Sequence, residues 1–206
     1  LAQLAADVSV APIWRANAME ALGNFGGREA LQSATQMLYS DDSLLRVSTV
    51  RAIQFLPLHE RYQLLQPLMD DDVTSVRMEV ATSLAGVPLD QVKPEQAEAL
   101  LALFREYLDV QKQHLDMPGV QLQLGIFYAG RGDLPSAEAA YREAIYLNPQ
   151  LIPALLNLAD LLRAQWDYSQ QQFGGVEDQF ASLLTDPTTR AAMHQTSLDY
   201  VSDSVD

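Results

Sequence analysis

The chain has 206 residues, 48% of them hydrophobic, which is ample for a continuous core and argues against wholesale disorder. Its 27 acidic residues against 13 Lys and Arg give a formal charge of −14 with no basic cluster, so nucleic acid and anionic membranes are poor partners. With no cysteine, disulfides, thiolate catalysis, zinc–thiolate clusters and attached c-type haem are excluded from this segment.

The opening Leu1-Ala2-Gln3-Leu4 is already helix-like and lacks an initiator Met. The sequence therefore reads as part of a longer protein, with bacterial periplasm and cytoplasm both open as its compartment. No apolar run approaches the ~20 residues that span a bilayer, and no signal-like core follows a basic region. Membrane insertion is not expected.

Residues 1–88 carry a repeat. Arg15, Arg46 and Arg77 stand 31 residues apart, each after an apolar residue (Trp14, Leu45, Val76). Six and seven positions later come a small and an aliphatic residue: Ala21-Leu22, Ala52-Ile53 and Ser83-Leu84. Asp41-Asp42 and Asp70-Asp71-Asp72 open the second and third units and suit helix capping. A second amphipathic segment follows in the first two units, from Arg28 to Tyr39 after Gly26-Gly27 and from His59 to Met69 after Pro57. Hairpins of this period bury their apolar stripes only by stacking on their neighbours. The pattern resembles the short HEAT-like repeat family over about residues 8 to 88. The first unit departs from it, with Ser9-Val10-Ala11-Pro12 in place of the acidic cap.

Residues 89–117 predict a connecting long helix, from about Glu95 to His114, with Ala97, Leu100, Leu101, Phe104, Tyr107 and Leu108 on its buried stripe. From Pro118 to Pro149 come Leu124-Gly125, Tyr128, Gly132-Asp133, Ala137, Tyr141, Ala144 and Leu147-Asn148-Pro149. This segment resembles a tetratricopeptide repeat, with Gln121 departing from the large apolar residue usual there. The spacing predicts two antiparallel helices that approach closely at Gly125 and Ala137 and turn at Gly132. A partial second copy starts at Ile152, with Asn157-Leu158-Ala159, Leu162 and Asp167-Tyr168 in register, and closes the region 118–165. Within 166–206 the pattern fails at Gln171 and Phe173-Gly174-Gly175. Two separate helices are predicted, Val176 to Leu184 and Pro187 to Val201, as a C-terminal segment that caps the open end of the solenoid or folds back across it. The fold class is thus all-α, a right-handed α-solenoid of stacked helical hairpins.

Catalytic signatures do not emerge. His59, His114 and His194 are 55 and 80 residues apart, far from metal-ligand spacing. There is no Gly-x-Ser-x-Gly elbow, phosphate loop or dinucleotide fingerprint. Gly23, Gly26 and Gly27 end a helix, and no strand precedes them. Asp70-Asp71-Asp72 lacks the alternating ligands of a calcium loop and reads as a cap. Arg131-Gly132-Asp133 falls on the turn of a hairpin, and Trp14 and Trp166 read as packing residues, with exposure left open for Trp166 because it occupies a turn position usually given to Gly. No catalytic residue, metal, cofactor or small-molecule substrate is expected.

The expected partner is a protein or peptide. Solenoids bind on the concave surface made by the first helix of each repeat. That face would project Leu122, Ile126 and Ala129, then Leu156, Asp160 and Arg163. The same strip suits packing against the C-terminal helices or a further repeat equally well. Leu122 and Ile126 occupy positions that carry basic and Asn side chains in chaperone-binding tetratricopeptide domains, so that carboxylate clamp is not expected. The reading is a non-catalytic interaction scaffold. The alternative is an accessory domain: HEAT-like units followed by tetratricopeptide repeats resemble the C-terminal region of some bacterial periplasmic multihaem cytochromes, and that resemblance implies a redox protein whose haem part is absent from this chain.

Overall fold

In the computed structural model, which describes the backbone of residues 1–185 and the side chains of residues 1–168, all regular structure is helical. Two compact units divide the chain, Leu1–Leu158 and Ala159–Asp206. The first holds α1 (Ala2–Ala6), α2 (Pro12–Phe25), α3 (Gly27–Met37), α4 (Ser43–Ala52), α5 (Leu58–Leu65), α6 (Thr74–Ser83), α7 (Pro94–Gln111), α8 (Pro118–Arg131) and α9 (Leu134–Leu147). The long α10 (Ile152–Thr185) begins in the first unit and continues into the second. Among the described residues no helix is long and apolar enough to cross a membrane.

Local chemistry sets the helix ends. Proline opens α2, α7 and α8, where its missing N–H is not needed. The Gln96 side chain closes back on the Lys93 N–H at 3.2 Å to start α7. Gly26 ends α2 at φ 63°, a conformation that suits glycine. Asp42 caps α4, its Oδ1 accepting from the Leu44 N–H at 2.9 Å. The acidic run before α6 does something else. Val73 is the N-cap there, and Asp71 accepts both the Val73 N–H at 2.9 Å and a fork from Arg46.

The first helices of the units lie side by side: α2 packs on α4, α4 on α6, and α6 on α8. The helix read as a connector, α7, packs on α6 as the second helix of the third hairpin, and also on α8. One buried apolar cluster runs from Ala5 to Ala140 through Met19, Leu45, Val76, Leu100 and Phe127. Positions 88 and 117, where sequence boundaries were expected, fall inside the same compact unit. The buried stripe of α7 is Leu100, Leu103, Phe104 and Tyr107, while Leu101 is 44% exposed, so the expected stripe is rotated by Leu103. Phe127 of α8 stacks on Tyr107 at 4.7 Å and meets Phe104 edge-on at 5.4 Å, which joins α7 to α8.

The repeating arginines are structural rivets. Arg46 is buried; its Nε and Nη2 each lie 2.8 Å from a different oxygen of Asp71, and its Nη1 donates to the Ser40 carbonyl at 2.8 Å. Arg77, one repeat on, donates from Nη1 to the Asp71 carbonyl and forks onto Glu106 of α7. Arg15 donates instead to neutral acceptors, from Nε to the Ala5 carbonyl at 2.9 Å and from Nη2 to the Met37 sulfur at 3.7 Å. Arg46 and Arg77 each tie their own unit's opening loop and the next element as well, while Arg15 ties α2 to α1.

The α8–α9 hairpin uses the residues that the spacing singled out. Gly132 is left-handed at φ 76°, and Asp133 caps α9 by accepting from the Ser136 N–H at 3.2 Å. Arg131 does not project; its Nη1 donates to the Ala85 and Val87 carbonyls, and its guanidinium lies 5.0 Å from the Phe104 ring centre. Gln121 is buried, and its amide donates to the Leu115 carbonyl at 2.8 Å, which explains a polar side chain there. A Cβ on Gly125 would strike the Tyr141 ring, and Ala137 is fully buried. Ala137→Leu should therefore overpack the hairpin by about 1–3 kcal/mol, read as a lower urea midpoint at unchanged slope.

Beyond the hairpin the structure departs from expectation. Helix α10 runs unbroken past Asp167-Tyr168 and through Phe173-Gly174-Gly175, so 176–184 belongs to it rather than to a separate helix. Glycine costs only about 1 kcal/mol per residue inside a helix, and no proline lies between Pro153 and Pro187 to break it. The helix expected from Pro187 to Val201, with His194, lies outside the described residues.

Candidate partner-binding surface

Helix α8 carries Leu122, Ile126 and Ala129 on one stripe at i, i+4 and i+7, all half-buried. Leu156, near the start of α10, is 60% exposed. Asp160 and Arg163 belong to the second unit, and there they pair with each other, Nη2 to Oδ1 at 3.0 Å, with both side chains exposed. The structure thus brings the first three together and the last two together. Trp14, read as a packing residue, is 62% exposed, and Trp166 is 65% exposed. His59 and His114 are exposed.

Sequence reasoning missed a charged array on the row of first helices. Arg51 of α4 stands between two acids, its Nε 2.9 Å from Glu79 Oε2 of α6 and its Nη1 3.4 Å from Glu20 Oε1 of α2. The signal was present: Glu20 and Arg51 each follow their unit's arginine by five residues, so the repeat puts them at one register position with opposite charge. Burial raises the Glu79 carboxyl above its ordinary value, and Arg51 offsets that only in part, with Glu20 adding to the rise.

Arg51 and Glu79 of this array also line a groove of about 530 Å³, together with Met78 and Thr82 of α6 and Tyr107 and Gln111 of α7. Tyr107 is 1% exposed, and its hydroxyl has no hydrogen bond of good geometry. Burial pushes its pKa up to about 12, and Thr82 and Gln111 beside it offset this only in part. A buried hydroxyl left unpaired costs about 1–3 kcal/mol. A second depression of about 640 Å³ lies between α5 and the segment entering α7, lined by Leu58, Tyr62, Val87 and Val92. It is the more apolar of the two.

No curated protein and no solved structure matches the chain. The three arginine-led units, stacked through their first helices, are where a family match falls: residues 1–85 match the model of HEAT repeats.

Proposed function

We propose that the chain is a non-catalytic interaction module that binds another protein along the row of its stacked first helices. The observation that carries this reading is the side-by-side packing of α2, α4, α6 and α8, which merges single helices into one extended surface. That surface combines the apolar stripe Leu122, Ile126 and Ala129 with the Glu20–Arg51–Glu79 array. The first 85 residues belong to a repeat type commonly used as a protein-interaction scaffold, and typically non-catalytic. The hairpin α8–α9, with its Gly125–Tyr141 contact and Gly132 turn, supports a tetratricopeptide-like extension of the same surface.

The test compares the full chain with Leu122→Asp/Ile126→Asp and, separately, Leu156→Asp as baits in lysate of the source organism. Wild type should retain a partner with roughly micromolar affinity, about −8 kcal/mol. The α8 variant should lose at least about tenfold of that, a change of about 1.4 kcal/mol, with its helical circular dichroism unchanged. Equal recovery by all baits would sink the assignment of this face.

A further inference from the structure

Within the second unit, helix α10 has a second apolar side. Leu161 is buried, while its neighbours Ala159 and Leu162 are exposed, Leu162 by 39%. From these two positions the sequence keeps an alternating three- and four-residue spacing to the end of the helix. One row is Ala159, Trp166, Phe173 and Phe180; the other is Leu162, Ser169, Val176 and Leu183. The backbone stays helical to Thr185, so both rows belong to one seam of about three and a half heptads. A seam with this period is what two supercoiled helices bury between them. Gly174 and Gly175 fall at positions away from it.

The residues flanking the seam indicate its occupant. They are Arg163, Gln170 and Glu177 on one side and Gln165, Gln172 and Gln179 on the other. In a chain of charge −14 these flanks carry no net charge, so a basic partner gains nothing there. They are complementary to themselves instead. We propose that the seam pairs with the same seam of a second copy of this chain, antiparallel, about a twofold axis at position 171. That register sets Arg163 of each copy beside Glu177 of the other, so the charge pair is made twice. It also sets a large residue against a smaller one in every layer: Trp166 opposite Val176, Phe173 opposite Ser169, Phe180 opposite Leu162, and Leu183 opposite Ala159. A parallel pair does neither. It would place Arg163 beside Leu158 and Glu177 beside Gln172, and each aromatic residue opposite its own image. The exposed contact that Arg163 makes with Asp160, 3.0 Å away on the same helix, is weak enough to be exchanged.

Sedimentation equilibrium of the full chain should give twice the chain mass, falling to that of one chain on dilution. Arg163→Glu and Glu177→Arg should each weaken self-association by about fivefold or more, with helical circular dichroism unchanged. Mixing the two variants should restore wild-type affinity as a one-to-one pair, because each then supplies the charge that the other lacks. Such a rescue also shows that both variants fold. Leu162→Asp, within the seam, should weaken the dimer and gain nothing from mixing with either. Glu177→Arg separates local pairing from overall charge: it makes the chain less negative, so it would tighten association if general repulsion were in control. The proposal is overturned if the chain stays monomeric at every concentration, the result expected if residues 187–206 cover the seam. It is overturned equally if Glu177→Arg tightens the dimer, if Leu162→Asp leaves it intact, or if the mixture associates no better than its components.

Discussion

Arg46→Met should lower the free energy of unfolding by about 3–5 kcal/mol at neutral pH, read from a urea titration. The size follows from what is left behind. The Arg46 and Asp71 side chains are 10% and 6% exposed, and two nitrogens of one meet two oxygens of the other. Without the guanidinium, a carboxylate stays buried with only the Val73 N–H as a partner, and the Ser40 carbonyl loses its donor. Acid provides a sharper test. Burial alone would raise the Asp71 carboxyl, but the Arg46 fork and the Val73 amide outweigh it and hold it below its ordinary 3.8. A depressed carboxyl contributes stability above its unfolded value, and that stability is lost as pH falls through the lower folded one. In Arg46→Met burial prevails, the carboxyl rises, and the sign reverses: the penalty is full at neutrality and eases on acidification. The gap between the two proteins should narrow as pH falls toward 4. The double variant Arg46→Met/Asp71→Leu should recover most of the loss, since a packed apolar pair often replaces a buried ion pair at little cost. A gap that stays constant with pH, or a double variant as weak as the single, would show that the pair does not hold the units together.

Elements that depend on local periodicity were legible in the sequence. The arginine spacing located α2, α4 and α6, and the glycine and proline punctuation located α8 and α9 to within a few residues. Failures came where two segments compete for one group. Asp71 reads locally as a cap and does accept the Val73 N–H, but its fork from a guanidinium of the previous unit lies outside any one sequence window. Leu101 and Leu103 are equally apolar, and only the positions of α6 and α8 decide which is buried. Glycines 174 and 175 look like a break, but local preference is weak beside the continuity of a long helix. For the candidate surface, the repeat face pointed to Leu122, Ile126 and Ala129 because apolar stripes are visible in one sequence window. The Glu20–Arg51–Glu79 array draws on three units, and the Tyr107 hydroxyl becomes an anomaly only once its surroundings close over it. Cross-unit charge at the repeat period, Glu20 against Arg51, was the one hint in the sequence itself.

Gly23→Ala should destabilise the protein by about 3 kcal/mol, although the same change usually strengthens a helix. Gly23 lies inside α2, where alanine is ordinarily worth about 1 kcal/mol over glycine. Its α-carbon faces the end of α4 so closely that a Cβ would lie within 2.8 Å of the Ala52 oxygen, α-carbon and carbonyl carbon. These are backbone atoms, and no rotamer change moves them aside. The helices must separate instead, and Met19, Leu22, Leu45 and Ile53 in the buried cluster would be the first contacts to loosen. Gly125 offers a milder case, because the obstacle there is the Tyr141 ring, a side chain able to shift. Gly119, near the start of α8, has nothing within 4 Å of a built Cβ, and Gly119→Ala should be neutral or stabilising by up to about 1 kcal/mol. Thermal melts of the two variants beside wild type separate propensity from crowding with identical chemistry. Should both alanines shift the midpoint in the same direction, α2 and α4 do not meet at Gly23 and Ala52, and the close stacking of the first two units is wrong.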